Sequence, residues 1–412
     1  MNNKKCVATV ALPVLLSVAL TAQAEETERA LIDAIKGGTP DFDFRLRYED
    51  VQADAGSAVQ GAQALTLRSK AGYATQTWNF MSAGMELTNV TALPDDDNYF
   101  SGSNDQTDDV FVPDPEGTEL NQIWWAYDVS NTLMKYGRQE LELDNGRFIG
   151  TENWRQNENT VSGLTVQNET LDFLRISAGL LHRSEGILGD DAEGGFSDVD
   201  AHYLHAKYRG FLNSFLSIYM LDIDNNDGAD VWDSRTQGIR YAGKVNNEPA
   251  LEYILEYAIQ SDGADNPNNY RASYYLFEAG VTVQGIKLSW GREMLGADDA
   301  GYFVVPLGAK DSFQGWTNQF WNGGLGNIEG GIIDQYAGLG YSWDKHSDVL
   351  FTHHIFDADE TTNGISNLGK EWGIHASQKW KNYRCSIGFA DYQADQFGED
   401  SRTFWISAGA NF

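Results

Sequence analysis

The chain has 412 residues, with 60 acidic and 29 basic side chains, a net charge of −31, 42 glycines, 8 prolines and 12% aromatics. That acidity disfavours nucleic acid as a partner, and after residue 24 no run of about 20 apolar residues appears, which excludes a helical membrane span. Many glycines and aromatics beside few prolines suit a strand-rich chain with many turns.

Residues 1–24 stand apart. Lys4 and Lys5 lead into the apolar run Val7 to Leu20, and Ala22-Gln23-Ala24 is a small-residue cleavage site. This reads as a secretory signal peptide, because the run is too short for a bilayer anchor. Cys6 precedes the run, is not placed as a lipoprotein cysteine and leaves with the signal. Only Cys385 remains, so the mature chain has no internal disulfide. Without Lys4 and Lys5 the balance is 27 basic against 60 acidic residues, about −33. Residues 25–40 are expected to form a short periplasmic N-terminal segment, and residues 41–412 a barrel.

From residue 41 the dominant period is 2. Phe42, Phe44, Leu46 and Tyr48 alternate with Asp43, Arg45, Arg47 and Glu49. Leu67, Ala71 and Tyr73 oppose Arg68 and Lys70, Ile176, Ala178 and Leu180 oppose Arg175 and Ser177, and Tyr253, Leu255 and Tyr257 oppose Glu252 and Glu256. Such alternation gives one apolar and one wet face. Strands are predicted at 41–50, 64–75, 79–90, 119–129, 132–141, 158–168, 171–183, 200–209 and 214–223. The second half adds 236–246, 250–260, 270–283, 286–295, 331–343, 347–357, 370–380, 384–393 and 402–412.

Eighteen strands are joined alternately by tight turns and by long loops such as 91–118, 184–199, 224–235 and 296–330. That is the plan of an all-β transmembrane antiparallel up-and-down β-barrel, with long extracellular loops and short periplasmic turns. Trp78, Phe80, Trp343 and Trp380, all beside short turns, are placed for an aromatic girdle at the inner interface. The last strand, Phe404 to Phe412, ends on an aromatic, as expected of a client of the barrel-assembly machinery. Outer-membrane lipid and lipopolysaccharide are the expected surroundings, in a Gram-negative bacterium.

Acids crowd the loops: Asp95, Asp96, Asp97, Asp105, Asp108, Asp109, Asp114 and Glu116 in one, Glu185, Asp190, Asp191, Glu193 and Asp198 in another. The wet strand faces lean basic. Since Arg or Lys on lipid costs about 2–4 kcal/mol at mid-depth, those faces must point into the lumen. There they either brace the wall through Arg–Glu ladders or form a track for anions, which arginine suits through its two-point pairing with carboxylates. The stretch 142–157, rich in amides and arginines with few aliphatics, is expected to be an extracellular loop tucked into the lumen as a constriction. Residues expected along the solute pathway are Arg45, Arg47, Arg68, Lys70, Arg138, Arg147, Arg155, Arg175, Lys207, Arg240 and Lys244.

Other motifs fail. In "DIDNNDGAD" (222–230) Gly228 comes one position late for an EF-hand turn, so an acidic loop tip is favoured. His202 and His205 fall on opposite strand faces, as do His353 and His354, so neither pair makes a metal site. No metal or cofactor site is predicted.

Three motifs together resemble the alginate-export outer-membrane porins. They are Arg45-Leu46-Arg47-Tyr48-Glu49, then Gly137-Arg138-Gln139 with Arg147-Phe148-Ile149-Gly150 and Trp154-Arg155-Gln156, and finally Pro306-Leu307, Phe313-Gln314-Gly315-Trp316, Phe320 and Asp334-Gln335-Tyr336. The resemblance implies an eighteen-stranded barrel with inward loops and a basic lumen that passes an acidic polysaccharide. The expected function is passive diffusion of hydrophilic, anionic or sugar-like solutes, an alginate-like polymer being the narrower case. A lipid-acting barrel enzyme or a surface adhesin is the alternative.

Overall fold

Alternation carries directly into the architecture. A computed structural model describes residues 27–53, 61–93, 98–190, 192, 194–210, 213–228, 230–320 and 328–412. The expected signal peptide, the Asp95-Asp96-Asp97 cluster, Asp191 and Glu193 lie outside the described residues.

Eighteen strands follow one another. They are β1 (Thr39–Ala53), β2 (Gly61–Ala74), β3 (Met81–Ala92), β4 (Gly117–Val129), β5 (Thr132–Gln139) and β6 (Thr160–Leu171). Next come β7 (Leu174–Glu185), β8 (Phe196–Arg209), β9 (Ser214–Asn225), β10 (Ser234–Val245), β11 (Ala250–Asp262) and β12 (Arg271–Val283). The set ends with β13 (Ile286–Leu295), β14 (Ile332–Asp344), β15 (Ser347–Thr362), β16 (Ile365–Trp380), β17 (Tyr383–Ala394) and β18 (Ser401–Asn411). Each strand is matched by one expected segment, with boundaries a few residues off, and each strand pairs antiparallel with its sequence neighbours. β1 also pairs with β18 and closes the ring, with Arg45 opposite Gly409 on one side and Arg68 on the other. At the seam Phe42 and Phe412 exchange backbone hydrogen bonds of 3.0 and 2.8 Å.

Closure leaves no sheet edge, and the outer face is apolar: Phe44, Leu46, Ile123, Trp125, Ile218, Leu255, Leu339 and Ile406 are all exposed. Only a closed barrel satisfies every strand amide at membrane depth, so that belt faces lipid. Phe80, Trp343 and Trp380 are exposed at the short-turn rim, where the girdle is expected. Residues 27–36 form a helix at the same rim, docked where Gln76 N donates to Ala34 O at 3.0 Å.

One connection differs from the expectation. Residues 358–369 are not a loop: β15 and β16 continue past the predicted ends and meet at Asn363-Gly364. Both take left-handed φ angles, 55° and 80°, which matches the twist a two-residue hairpin turn needs.

Candidate functional site in the barrel lumen

Two long connections turn inward. Residues 140–159 cross the lumen and are tied to both walls. On the β1–β2 side, Arg45 Nε donates to Gln156 Oε1 at 2.9 Å and its Nη1 to the Asn153 carbonyl at 2.7 Å. Gln156 in turn donates to Thr66 Oγ1 at 2.8 Å. On the far side His205 Nε2 lies 2.8 Å from Asp144, and Ser217 donates to the same carboxylate at 3.0 Å. Burial would raise the Asp144 carboxyl, but contacts from His205 and Lys207 hold it well below the usual carboxylate range.

The second connection, of which residues 296–320 and 328–331 are described, meets the first in the middle through residues 307–309. Gly150 N donates to Leu307 O at 3.0 Å and Ala309 N to Gly146 O at 2.9 Å. A Cβ at Gly308 would stand 2.2 Å from the Arg147 carbonyl, so this close backbone approach requires glycine. Around the junction Phe148 packs on Tyr219, Tyr274 and Phe303 with ring centroids 5.1–5.8 Å apart. The lumen thus holds an apolar core of its own, which makes the loops a fixed part of the fold rather than a fringe.

Arginines knit the loops to the wall. Arg155 Nη1 lies 3.0 Å from Glu49 on β1, and its Nε lies 3.4 Å from Asp311. Arg47 donates to Glu49 Oε2 at 3.0 Å and to the Trp154 carbonyl at 3.1 Å, with its guanidinium 4.4 Å over the Trp154 ring. Arg68 bridges Asp43 at 2.5 Å and Glu158 at 3.1 Å, and Lys70 bridges Glu158 at 2.8 Å and Glu86 at 3.0 Å. Nearby Glu140 is pushed up to about 7, first by burial and then by the Glu158 charge. Lys310, enclosed between the loops, is pushed down to about 8 by burial.

The remaining expected residues divide by height and face. Arg240 donates to Glu256 inside the wall, and Lys207 lies 2.8 Å from Asp144. Arg175 and Lys244 sit at the short-turn rim, more than half exposed, paired with Glu169 and Glu252. Two expectations need correcting. Arg138 is not in the lumen: it stands opposite lipid-facing Ile123 and opposite Ser162, one residue out of step with inward-facing Gln139, and lies 3.8 Å from Glu185 and 3.5 Å from Asp190. Arg147 is fully buried against Glu293 and Phe313, so it braces the loop and faces no open water.

Arg384, passed over in the sequence, completes the picture. Across the seam, Lys379 of β16 stands opposite Arg384 of β17, Arg384 opposite Gly409 of β18, Gly409 opposite Arg45 of β1, and Arg45 opposite Arg68 of β2. Cross-strand partners share a face, so four cations occupy one inward row. Arg384 Nη2 donates to Asp43 at 2.7 Å, and Lys379 makes no ion pair among the described residues. Above the row, Trp154, Trp316, Trp405 and His375 form an aromatic cluster with centroids 5.1–6.4 Å apart. Higher still, a vestibule of about 550 Å³ on the long-loop side is bounded by Glu49, Arg155, Trp316 and Glu399.

Comparison with known proteins agrees with this geometry. Residues 40–291 match the family model described as alginate export. No curated protein matches the sequence. Solved barrels superpose well despite low identity. OccAB4 of Acinetobacter baumannii has a TM-score of 0.71 at 13% identity, over 91% of this chain and 98% of that one. OccK9 (OpdG) of Pseudomonas aeruginosa gives 0.72 at 14%, over 92% and 100%. The outer membrane protein OpdK of the same organism gives 0.70 at 12%, over 92% and 99%.

Proposed function

The chain belongs to the alginate export family, and from that premise we propose that it is a channel of the Gram-negative outer membrane through which small anionic or sugar-like solutes diffuse. The observation that carries the reading is the inward row Lys379, Arg384, Arg45 and Arg68 beneath a Trp–His cluster. Guanidinium groups pair carboxylates, and aromatic faces accept the apolar faces of sugars or rings. OpdK, one of the similar barrels, has been solved with vanillate, an aromatic carboxylate.

Small solutes are favoured over a polymer because residues 140–159 and 296–320 meet in the lumen around a packed aromatic core. Of the eleven expected pathway residues, Arg155 borders the vestibule, and Arg45 and Arg68 stand in the inward row, Arg68 also pairing with Asp43 and Glu158; Arg47, Lys70 and Arg240 are committed to wall carboxylates and Lys207 to Asp144. Three histidines point inward among the described residues: His205 and His354 pair with Asp144 and Asp334, and His375 packs among the tryptophans of the cluster. The test is single-channel current in a planar bilayer under a salt gradient. Anion-preferring reversal potentials, with block by a monomeric uronate, support the reading. A silent barrel would return it to the adhesin class.

A further inference from the structure

The outer wall is not uniform. Every strand-borne Lys or Arg that faces outward among the described residues lies toward the long-loop end: Arg138, Arg183, Arg235, Arg271, Arg292, Lys370 and Arg402. The short-turn half carries its outward apolar residues without them.

Two of these cations share one lateral row. Asp222 of β9 stands opposite Arg235 of β10, Arg235 opposite Ser261 of β11, and Ser261 opposite Arg271 of β12. Strands lie about 4.8 Å apart, which puts the two arginine backbones roughly 10 Å apart with a small serine between them. Arg235 Nε and Nη2 both bond Asp222 Oδ2, at 2.9 and 2.7 Å, leaving Nη1 uncommitted to that acid. Arg271 makes no ion pair among the described residues. Both arginines border a crevice of about 720 Å³ on the outer wall, whose lower part is lined by Ile218, Met220, Ile239 and Tyr257. A second outer crevice, of about 450 Å³ between Leu46, Tyr48, Ile387 and Ile406 in the other half, has no charged lining residue.

We propose that the β8–β12 crevice binds a phosphorylated, multiply acylated glycolipid of the outer leaflet, with a phosphate between Arg235 and Arg271 and an acyl chain along Ile218, Ile239 and Tyr257. Charge complementarity selects that occupant. Two guanidinium groups above an apolar slot match a phosphate above acyl chains, and arginine is tolerated on a barrel's outer face only near the interface. The uncharged crevice fits the hydrocarbon of the opposite leaflet and nothing more. The inference rests on membrane placement of the barrel and is independent of the solute that passes inside.

The test uses the full-length barrel in detergent, titrated with bisphosphorylated lipid A, dephosphorylated lipid A and phosphatidylglycerol, with bound lipid counted by native mass spectrometry. Arg235→Gln with Arg271→Gln should weaken lipid A binding about tenfold, equivalent to about 1.4 kcal/mol, while heat-modifiable mobility and conductance stay unchanged. Dephosphorylated lipid A should bind parent and variant equally weakly. Arg271→Gln alone, which leaves the Asp222–Arg235 pair intact, should show part of the loss and serves if the double variant assembles poorly. Equal lipid A binding by parent and variants would overturn the proposal. So would phosphatidylglycerol binding as tightly as lipid A, or an equal loss from Arg402→Gln, which lies outside the crevice.

Discussion

Arg147, on the first inward loop, holds its guanidinium against Glu293 of β13, with Nη2 donating to Oε2 at 3.2 Å and Nε 2.8 Å from Oε1. Both side chains are buried, so the pair fastens the loop to the wall opposite its β1–β2 anchor. Removing one partner of a buried pair leaves the other charge unpaired and costs about 3–5 kcal/mol, whereas removing both costs far less. Arg147→Gln should therefore loosen the loop, giving a larger and noisier single-channel current. Arg147→Gln with Glu293→Gln should restore most of the quiet behaviour. Equal noise in parent, single and double variants would assign the docking to the apolar core alone.

A second prediction follows from Glu152, in the same loop. Its carboxyl is pushed up to about 7, by burial and then by the Asp311 charge. One oxygen accepts from Trp154 N at 2.7 Å, while Oε2 is buried with no hydrogen-bond partner, an arrangement suited to the protonated acid. A carboxyl whose folded pKa is raised binds its proton more tightly in the docked state. Its stabilising contribution is complete below the ordinary value near 4.5 and lost as pH rises through about 7. Hydrogen exchange across 142–157 should thus show better protection at pH 5 than at pH 8, after correction for intrinsic rates. Glu152→Gln should flatten that difference; an unchanged pH response in the variant would rule Glu152 out as its source.

Strand closure supplies the third. Phe412 exchanges backbone hydrogen bonds with Phe42 across the seam, and its exposed ring meets Tyr383 edge-on at 6.3 Å. An aspartate there would put a charge on the lipid-facing end of the last strand, the segment expected to engage the barrel-assembly machinery. Phe412→Asp should lower the outer-membrane yield of heat-modifiable barrel and raise periplasmic degradation. Equal yields would show that assembly does not read this residue.

What could be read in advance depended on range. Phe42, Phe44 and Leu46 announce their face because alternation is local, and lipid on one side makes the inward assignment of Arg45 and Lys207 nearly obligatory. Asn363-Gly364 was a readable hairpin signal that a count of strand lengths passed over. Arg138 went wrong by a single residue, and a one-residue step flips a side chain through the wall. Pairings were the least accessible. Arg384 and Asp43 are 341 residues apart and Arg147 and Glu293 146, so neither the cationic row nor the loop anchor leaves a local pattern.

That row yields the final prediction. Arg384 and Lys379 face inward beside Arg45, at a level below the loops, and neither has a hydrogen bond or ion pair to residues 140–159 among the described contacts. Neutralising them should change the field in the lumen without undocking the constriction. Low-dielectric walls focus that field, so losing two adjacent charges of the row that continues into Arg45 acts more strongly than losing one isolated, paired charge elsewhere on the same rim. Arg384→Gln with Lys379→Gln should shift the reversal potential toward cations at low salt, and the shift should shrink at 1 M, where the Debye length falls to about 3 Å. Lys244→Gln is the control: Lys244 is more than half exposed at the short-turn rim and shares Glu252 with Lys287, so its loss leaves a cation beside the same acid. A control shift as large as that of the double variant would place selectivity in the rim as a whole. No shift from either would move the selective step up to the vestibule, where Arg155 and Glu49 meet.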